Sequence, residues 1–169
     1  MSAPPDVVTR LEQLQQSIGP LRLYALVEGA QYRTHFGEPC LTRVGFRSLF
    51  ADTQDEALGH AGPWLIDAEQ VGAEMVEALV ALEHAAPAVS WLIAPQTLEG
   101  LAQLLQLNLD TELPDGRSAL LRFWDPRVLV SLAEVLEPAQ SETFFAHIHE
   151  WHLLHKGQRV WIGRRHAQA

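Results

Sequence analysis

The sequence predicts an α/β fold, with a mixed, mainly parallel central sheet flanked by helices and one antiparallel hairpin near Asp115-Gly116. Three observations carry that expectation. Short apolar runs of strand length alternate with segments whose apolar residues recur every three or four positions. Several of the runs are apolar throughout, as strands covered on both faces are. Pro114-Asp115-Gly116 sets a turn between two stretches of strand character, because Pro fixes φ, Asp bonds its own backbone and Gly accepts a left-handed φ.

The elements follow in order. Val7, Leu11, Leu14 and Ile18 share one face of an amphipathic helix within residues 1–20, stopped by Gly19-Pro20. Residues 21–28 form a mostly apolar first strand that ends at Gly29 and reads as central and buried. From Gly29 to Gly62 the periodicity fades, and a short helix near residues 46–50 is expected inside a segment too long for a plain loop. Gly62-Pro63-Trp64-Leu65-Ile66 is a short strand whose proline sits harmlessly at its start. Val71, Met75, Ala78, Leu79, Leu82 and Ala86 trace the next helix up to Pro87, and residues 89–94 read as another buried strand. Thr97 is the N-cap of a helix that turns Leu98, Leu101 and Leu105 inward.

Leu107, Leu109, Thr111 and Leu113 alternate with polar residues as in a half-exposed strand, and residues 118–124 are its return strand. Two helices are expected next, over residues 126–136 and roughly 139–150. Residues 151–163 then fit a hairpin around Lys156-Gly157-Gln158. The organisation is thus an N-terminal helix (1–20), one α/β domain (21–163) and a tail (164–169), with no internal repeat and no low-complexity linker.

Length and composition agree with one folded domain: 169 residues, 47% hydrophobic and 20% charged. The net charge of −9 argues against nucleic acid and against anionic membrane surfaces, because both are bound largely through Lys and Arg. The residues from Met1 to Asp6 lack the basic-then-apolar order of a signal peptide, and no apolar run is long enough to span a bilayer, so a cytoplasmic location is expected. The single Cys40 excludes disulfide stapling and Cys-rich zinc modules.

Two polar features stand out. In Arg122-Phe123-Trp124-Asp125-Pro126-Arg127, Asp125 is suited to N-cap a helix and Pro126 to open it, so a strand passes directly into a helix. Arg122, between Leu121 and Phe123, must reach water or a carboxylate, and Asp125 is the nearest candidate partner. Arg127 lies in a first helical turn, where the dipole disfavours a cation, which points to a contact with another molecule. Arg122, Asp125 and Arg127 therefore read as a structural corner, a protein-binding corner, or both.

The second feature is the series His147, His149, His152 and His155. On a helix, the members three apart would be neighbours able to ligate a metal, although Leu153 breaks the His-Glu-x-x-His spacing. Nucleophile-elbow, phosphate-loop and dinucleotide-binding signatures do not occur. The five tryptophans read as core residues with interface anchoring as the alternative.

Several blocks in fixed order carry a resemblance: Leu23-Tyr24-Ala25-Leu26-Val27-Glu28-Gly29-Ala30, Ser48-Leu49-Phe50, Gly62-Pro63-Trp64-Leu65-Ile66, Leu113-Pro114-Asp115-Gly116-Arg117, and the stretch from Leu121 to Leu129. In these the chain resembles the type VI secretion adaptor family, a group labelled as a domain of unknown function. The resemblance implies a cytoplasmic chaperone that binds a toxic effector and helps load it onto the VgrG spike protein, with no cofactor and no reaction of its own. Many relatives continue into a further C-terminal lobe, which leaves open which surface holds effector and which holds spike. Two other functions remain as expectations to compare: a metal-dependent hydrolase using His147, His149 and His152, and an immunity or regulatory protein that neutralises the effector.

Overall fold

Helix α1 (Pro5–Ile18) opens on a proline at its first position, buries Val7 and Leu11, and ends at Gly19, whose φ of 119° few other residues adopt. The next elements are β1 (Arg22–Glu28), α2 (Gly29–Phe36), β2 (Phe46–Ser48), a 3₁₀ turn (Glu56–Ala61), β3 (Pro63–Asp67), α3 (Ala68–Val71), α4 (Ala73–Ala85) and β4 (Val89–Ala94). The remainder comprises α5 (Leu98–Gln106), β5 (Asp110–Glu112), β6 (Ser118–Leu120), α6 (Pro126–Val135), α7 (Pro138–Phe144), β7 (Glu150–His155) and β8 (Gln158–Gly163). The structure is a computed structural model and describes residues 3–112 and 114–163. Met1, Ser2, Leu113 and the expected tail at 164–169 lie outside the described residues.

Among the described residues two sheets form, one six-stranded in the order β2-β3-β1-β4-β7-β8 and one two-stranded, β5-β6. Every pairing is antiparallel, which corrects the expectation of a mainly parallel sheet. The reason lies in β1. Strands β3 and β4 are joined through α3 and α4 and run parallel to each other, but β1 is inserted between them and runs opposite to both. Apolar runs report burial on two faces and carry no information on direction.

That burial is supplied by helices on both sides. Leu23, Ala25 and Val27 of β1 pack in one core with Val7 and Leu11 of α1, Tyr32 of α2 and Leu79 and Leu82 of α4. Tyr24 and Leu26 point the other way, into a core with Leu101 and Leu105 of α5, Leu129 of α6, and Phe123, Phe145 and Trp151. The result is a three-layer sandwich, with Trp64, Trp91, Trp124 and Trp151 all buried in it.

Other expectations change in detail. The short helix expected near residues 46–50 is strand β2, paired to β3 from Phe46↔Ile66 to Ser48↔Trp64. The helix expected through residues 71–86 is broken at Gly72, whose φ is 84°. The helix expected up to residue 150 stops at Phe144, so Glu150–His155 is free to form β7. The hairpin between β7 and β8 closes on Lys156 (φ 52°) and Gly157 (φ 75°), two consecutive left-handed residues as a two-residue type I′ loop requires. Partly buried Arg159 of β8 fastens this hairpin to α4 through Glu83, with N–O distances of 2.7 and 3.0 Å.

The two rims of the large sheet differ. At β2 the flanking chain folds over the outer side: Phe46 N donates to Arg43 O (2.9 Å) and Ala51 N to Ser48 O (3.3 Å). Among the described residues β8 pairs with β7 alone.

Candidate functional site

Strand β1 is apolar between Arg22 and its last residue, where Glu28 points to the same side as Tyr24 and Leu26. Its side chain is 8% exposed, and such a carboxylate needs a cation close by. The chain turns sharply after it. Gly29 N donates to Gly62 O at 2.8 Å, and a Cβ on Gly29 would stand 2.0 Å from His60 O, so only glycine fits this crossing.

The cation comes from Arg122, whose Nη2 donates to Glu28 Oε1 at 3.0 Å. Arg122 follows β6, which is shorter than the strand expected over residues 118–124, and its guanidinium carbon lies 6.0 Å from the Trp124 ring. Phe123 and Trp124 are buried below it, and Trp124 meets Phe50 edge-on at 5.6 Å. The partner of Arg122 is therefore Glu28, 94 residues away in the chain, and not the nearer Asp125.

Asp125 N-caps α6 and is held by Arg127. Its Oδ1 accepts from Arg127 N (2.9 Å) and Nε (3.1 Å), and its Oδ2 from Arg127 Nη2 (2.8 Å). Burial pushes the Asp125 carboxyl pKa up, but hydrogen bonds from Arg127 and the charges of Arg127 and Arg122 outweigh it, leaving the value below the usual range. Burial wins at Glu28, whose pKa is raised despite the opposing charge of Arg122. The hydrogen bond to Asp125 raises the pKa of Arg127.

Glu28, Arg122, Asp125 and Arg127 thus form a corner of four charges. The two carboxylates lie beneath, 8% and 9% exposed, and the guanidinium groups of Arg122 and Arg127 face solvent at 55% and 69%. Each guanidinium carries five N–H donors, of which the carboxylates take one from Arg122 and two from Arg127. The remaining donors are taken by neither carboxylate. Glu28 is the member that sequence reasoning missed; its only signal was an acid closing the apolar run of residues 23–27.

The histidines are not assembled as a helix would assemble them. His147 lies in the turn after α7, His149 precedes β7, and His152 and His155 lie three apart on a strand, hence on opposite faces. His152 is buried, with Nε2 2.9 Å from Glu150 Oε1, and Glu150 is also gripped by Nε and Nη2 of Arg10. Among the described residues no group of three or more His, Cys, Asp or Glu is placed to hold a metal ion. The helical spacing that motivated a metal centre is overturned by the end of α7 at Phe144.

Fold and corner together define a three-layer α/β domain that presents two anchored arginines at a strand-to-helix junction. The chain belongs to the family described as Domain of unknown function (DUF4123), whose family model matches residues 23–143. The match runs from β1 into α7 and takes in Glu28, Arg122, Asp125 and Arg127. No curated protein and no solved structure matches the chain. No helix among the described residues is long and apolar enough to cross a membrane.

Proposed function

We propose that this chain is a cytoplasmic adaptor that binds a type VI secretion effector and helps load it onto the VgrG spike. Membership of DUF4123 supports the reading, as do the blocks that resemble type VI secretion adaptors, the Arg122-to-Arg127 stretch above all. The observation that carries it is the exposure of Arg122 and Arg127 above buried Glu28 and Asp125. An arginine anchored by a buried carboxylate has already lost much of its rotamer freedom, so docking a partner against it loses less entropy. Arginine is also enriched among the residues that dominate binding energy. The proposal assigns no bond-making step to the chain, and nucleic acid and membranes are not among its partners.

Co-purification tests it. The tagged chain is expected to retain the effector encoded beside it and to bring down VgrG when both are present. Arg127→Ala, which leaves the backbone N–H of residue 127 on the Asp125 cap, is expected to reduce retention about tenfold, the loss of one charge-assisted contact. Retention of neither protein by the wild type sinks the adaptor reading; undiminished retention by an Arg122→Ala/Arg127→Ala double variant sinks the corner. An immunity protein would protect a target cell from the effector, whereas an adaptor is required for delivery and gives no protection.

A further inference from the structure

A cavity of about 500 Å³ between α1 and the β7–β8 hairpin is lined by Arg10, but Glu150 already grips that guanidinium with both oxygens. A second groove of about 440 Å³ is different. It lies between the loop before β2 and the start of α5, and Arg22, Arg43, Val44, Arg47, Thr97 and Leu98 line it. Its volume is within the roughly 300–1,000 Å³ of ligand-binding clefts.

The charge of this groove runs against the rest of the molecule. The chain has 12 basic residues against 21 acidic ones, yet three arginines meet here and Glu99 is the one acid in the lining. Arg22 is tied to buried Asp67 at 3.3 Å. Arg43 forms no ion pair among the described residues, and its guanidinium carbon lies over the Phe46 ring, 4.2 Å from the centroid. Arg47 has only longer contacts, 3.4 Å to Glu99 and 3.7 Å to Asp52, and both acids are mostly exposed (64% and 84%). Arg47 is itself 24% exposed, and a pair whose acid is solvated is screened by water and contributes little. Val44, 79% exposed, adds an apolar contact at the rim.

From these observations we infer that the groove binds an acidic, carboxylate-bearing segment of a partner polypeptide through Arg43 and Arg47. The inference rests on the reading of the chain as a protein-binding domain. Strand addition is disfavoured here, because Arg43 O and Ala51 N already occupy outer groups of β2, so the partner is read by side chains. The groove is also separate from the Arg122/Arg127 corner. Arg22 and Glu28 are the two ends of β1 and point to the same side of the sheet, which sets them roughly 20 Å apart at ~3.3 Å per residue. Both sites can therefore be filled at once, as a protein that bridges two partners requires.

Fluorescence anisotropy with labelled hexaglutamate and the full chain tests this at low ionic strength. Saturable binding is expected, weakened about tenfold or more by an Arg43→Gln/Arg47→Gln double variant and unchanged by Arg33→Gln, an exposed arginine of α2 that does not line the groove. If the double variant does not fold, amide chemical shifts of the wild-type chain replace it: hexaglutamate should move residues 43–47 and 97–99. Equal binding by the double variant, shifts confined to other residues, or full displacement by inorganic phosphate at matched charge overturns the inference. Failure of hexaglutamate to bind while the effector still co-purifies overturns the groove and leaves the adaptor reading standing. Binding at the groove with no co-purification does the reverse.

Discussion

Asp125 and Arg127, two residues apart, are joined by three hydrogen bonds of 2.8–3.1 Å that close the first turn of α6. One bond is the helix cap and two are the grip on the guanidinium, so a single carboxylate both starts the helix and aims the arginine. Asp125→Ala should lower the unfolding free energy by about 1–2 kcal/mol, the usual loss for an aspartate cap, and release Arg127 as well. Asp125→Asn keeps a capping oxygen and should lose less than half as much stability while still freeing the guanidinium. Urea denaturation of the three proteins checks the order; an alanine variant as stable as the wild type would remove the cap from the account.

Acid should unfold the protein through Glu150. Burial pushes its carboxyl pKa up, but hydrogen bonds from His152 and Arg10 outweigh it and bring the value down from the usual 4.5 to about 2. With the folded value below the unfolded one, the stabilisation is complete above about pH 4.5 and is lost as pH falls toward 2. It amounts to something on the order of 3 kcal/mol. Glu28 acts in the opposite sense, since its raised pKa makes protonation favour the folded state as pH drops. Stability followed by tryptophan fluorescence should therefore decline below pH 4.5, and Glu150→Gln should lower the neutral plateau and flatten that decline. A variant with the same acid slope as the wild type would acquit Glu150.

Gly29→Ala should destabilise the domain by about 1–3 kcal/mol, the range for forcing one extra carbon into packed surroundings. Its Cβ would meet the carbonyl oxygen of His60 at 2.0 Å and that of Gly62 at 2.8 Å, both backbone atoms that cannot rotate away. Because Glu28 precedes it, the same change should disturb the salt bridge to Arg122. A thermal melt shows the first effect and loss of effector retention the second; an unchanged melting temperature would mean that the crossing is looser than its geometry.

Much of this was legible in the sequence where local chemistry decides the outcome. The periodicity of Val7 and Leu11, the Thr97 and Asp125 caps, the apolar runs of β1 and β4 and the Lys156-Gly157 turn all act over a few residues. Strand direction was not legible, because β1 is threaded between β3 and β4 and nothing in any one segment records that insertion. Segment 29–62 hid α2 and β2 for a related reason: their residues are fixed by contacts with the 3₁₀ turn and with β3 rather than by their own pattern. At the corner, the caps and the exposed arginines follow from adjacent residues, whereas the pairing of Arg122 with Glu28 needs the folded sheet. The histidines misled because spacing by three means adjacency on a helix and opposition on a strand.

The unequal rims of the large sheet bear on how the protein behaves when crowded. Ladder-wise growth, the route to fibrils, needs a strand that can be extended at both borders of a sheet. In the large sheet one border has two of its outer groups, Phe46 N and Ser48 O, taken by its own flanking chain, whereas β8 keeps its outer row open among the described residues. Two copies meeting at β8 would hide both of those rows and turn the partly covered β2 borders outward, a closed arrangement that this sheet favours over an open-ended one.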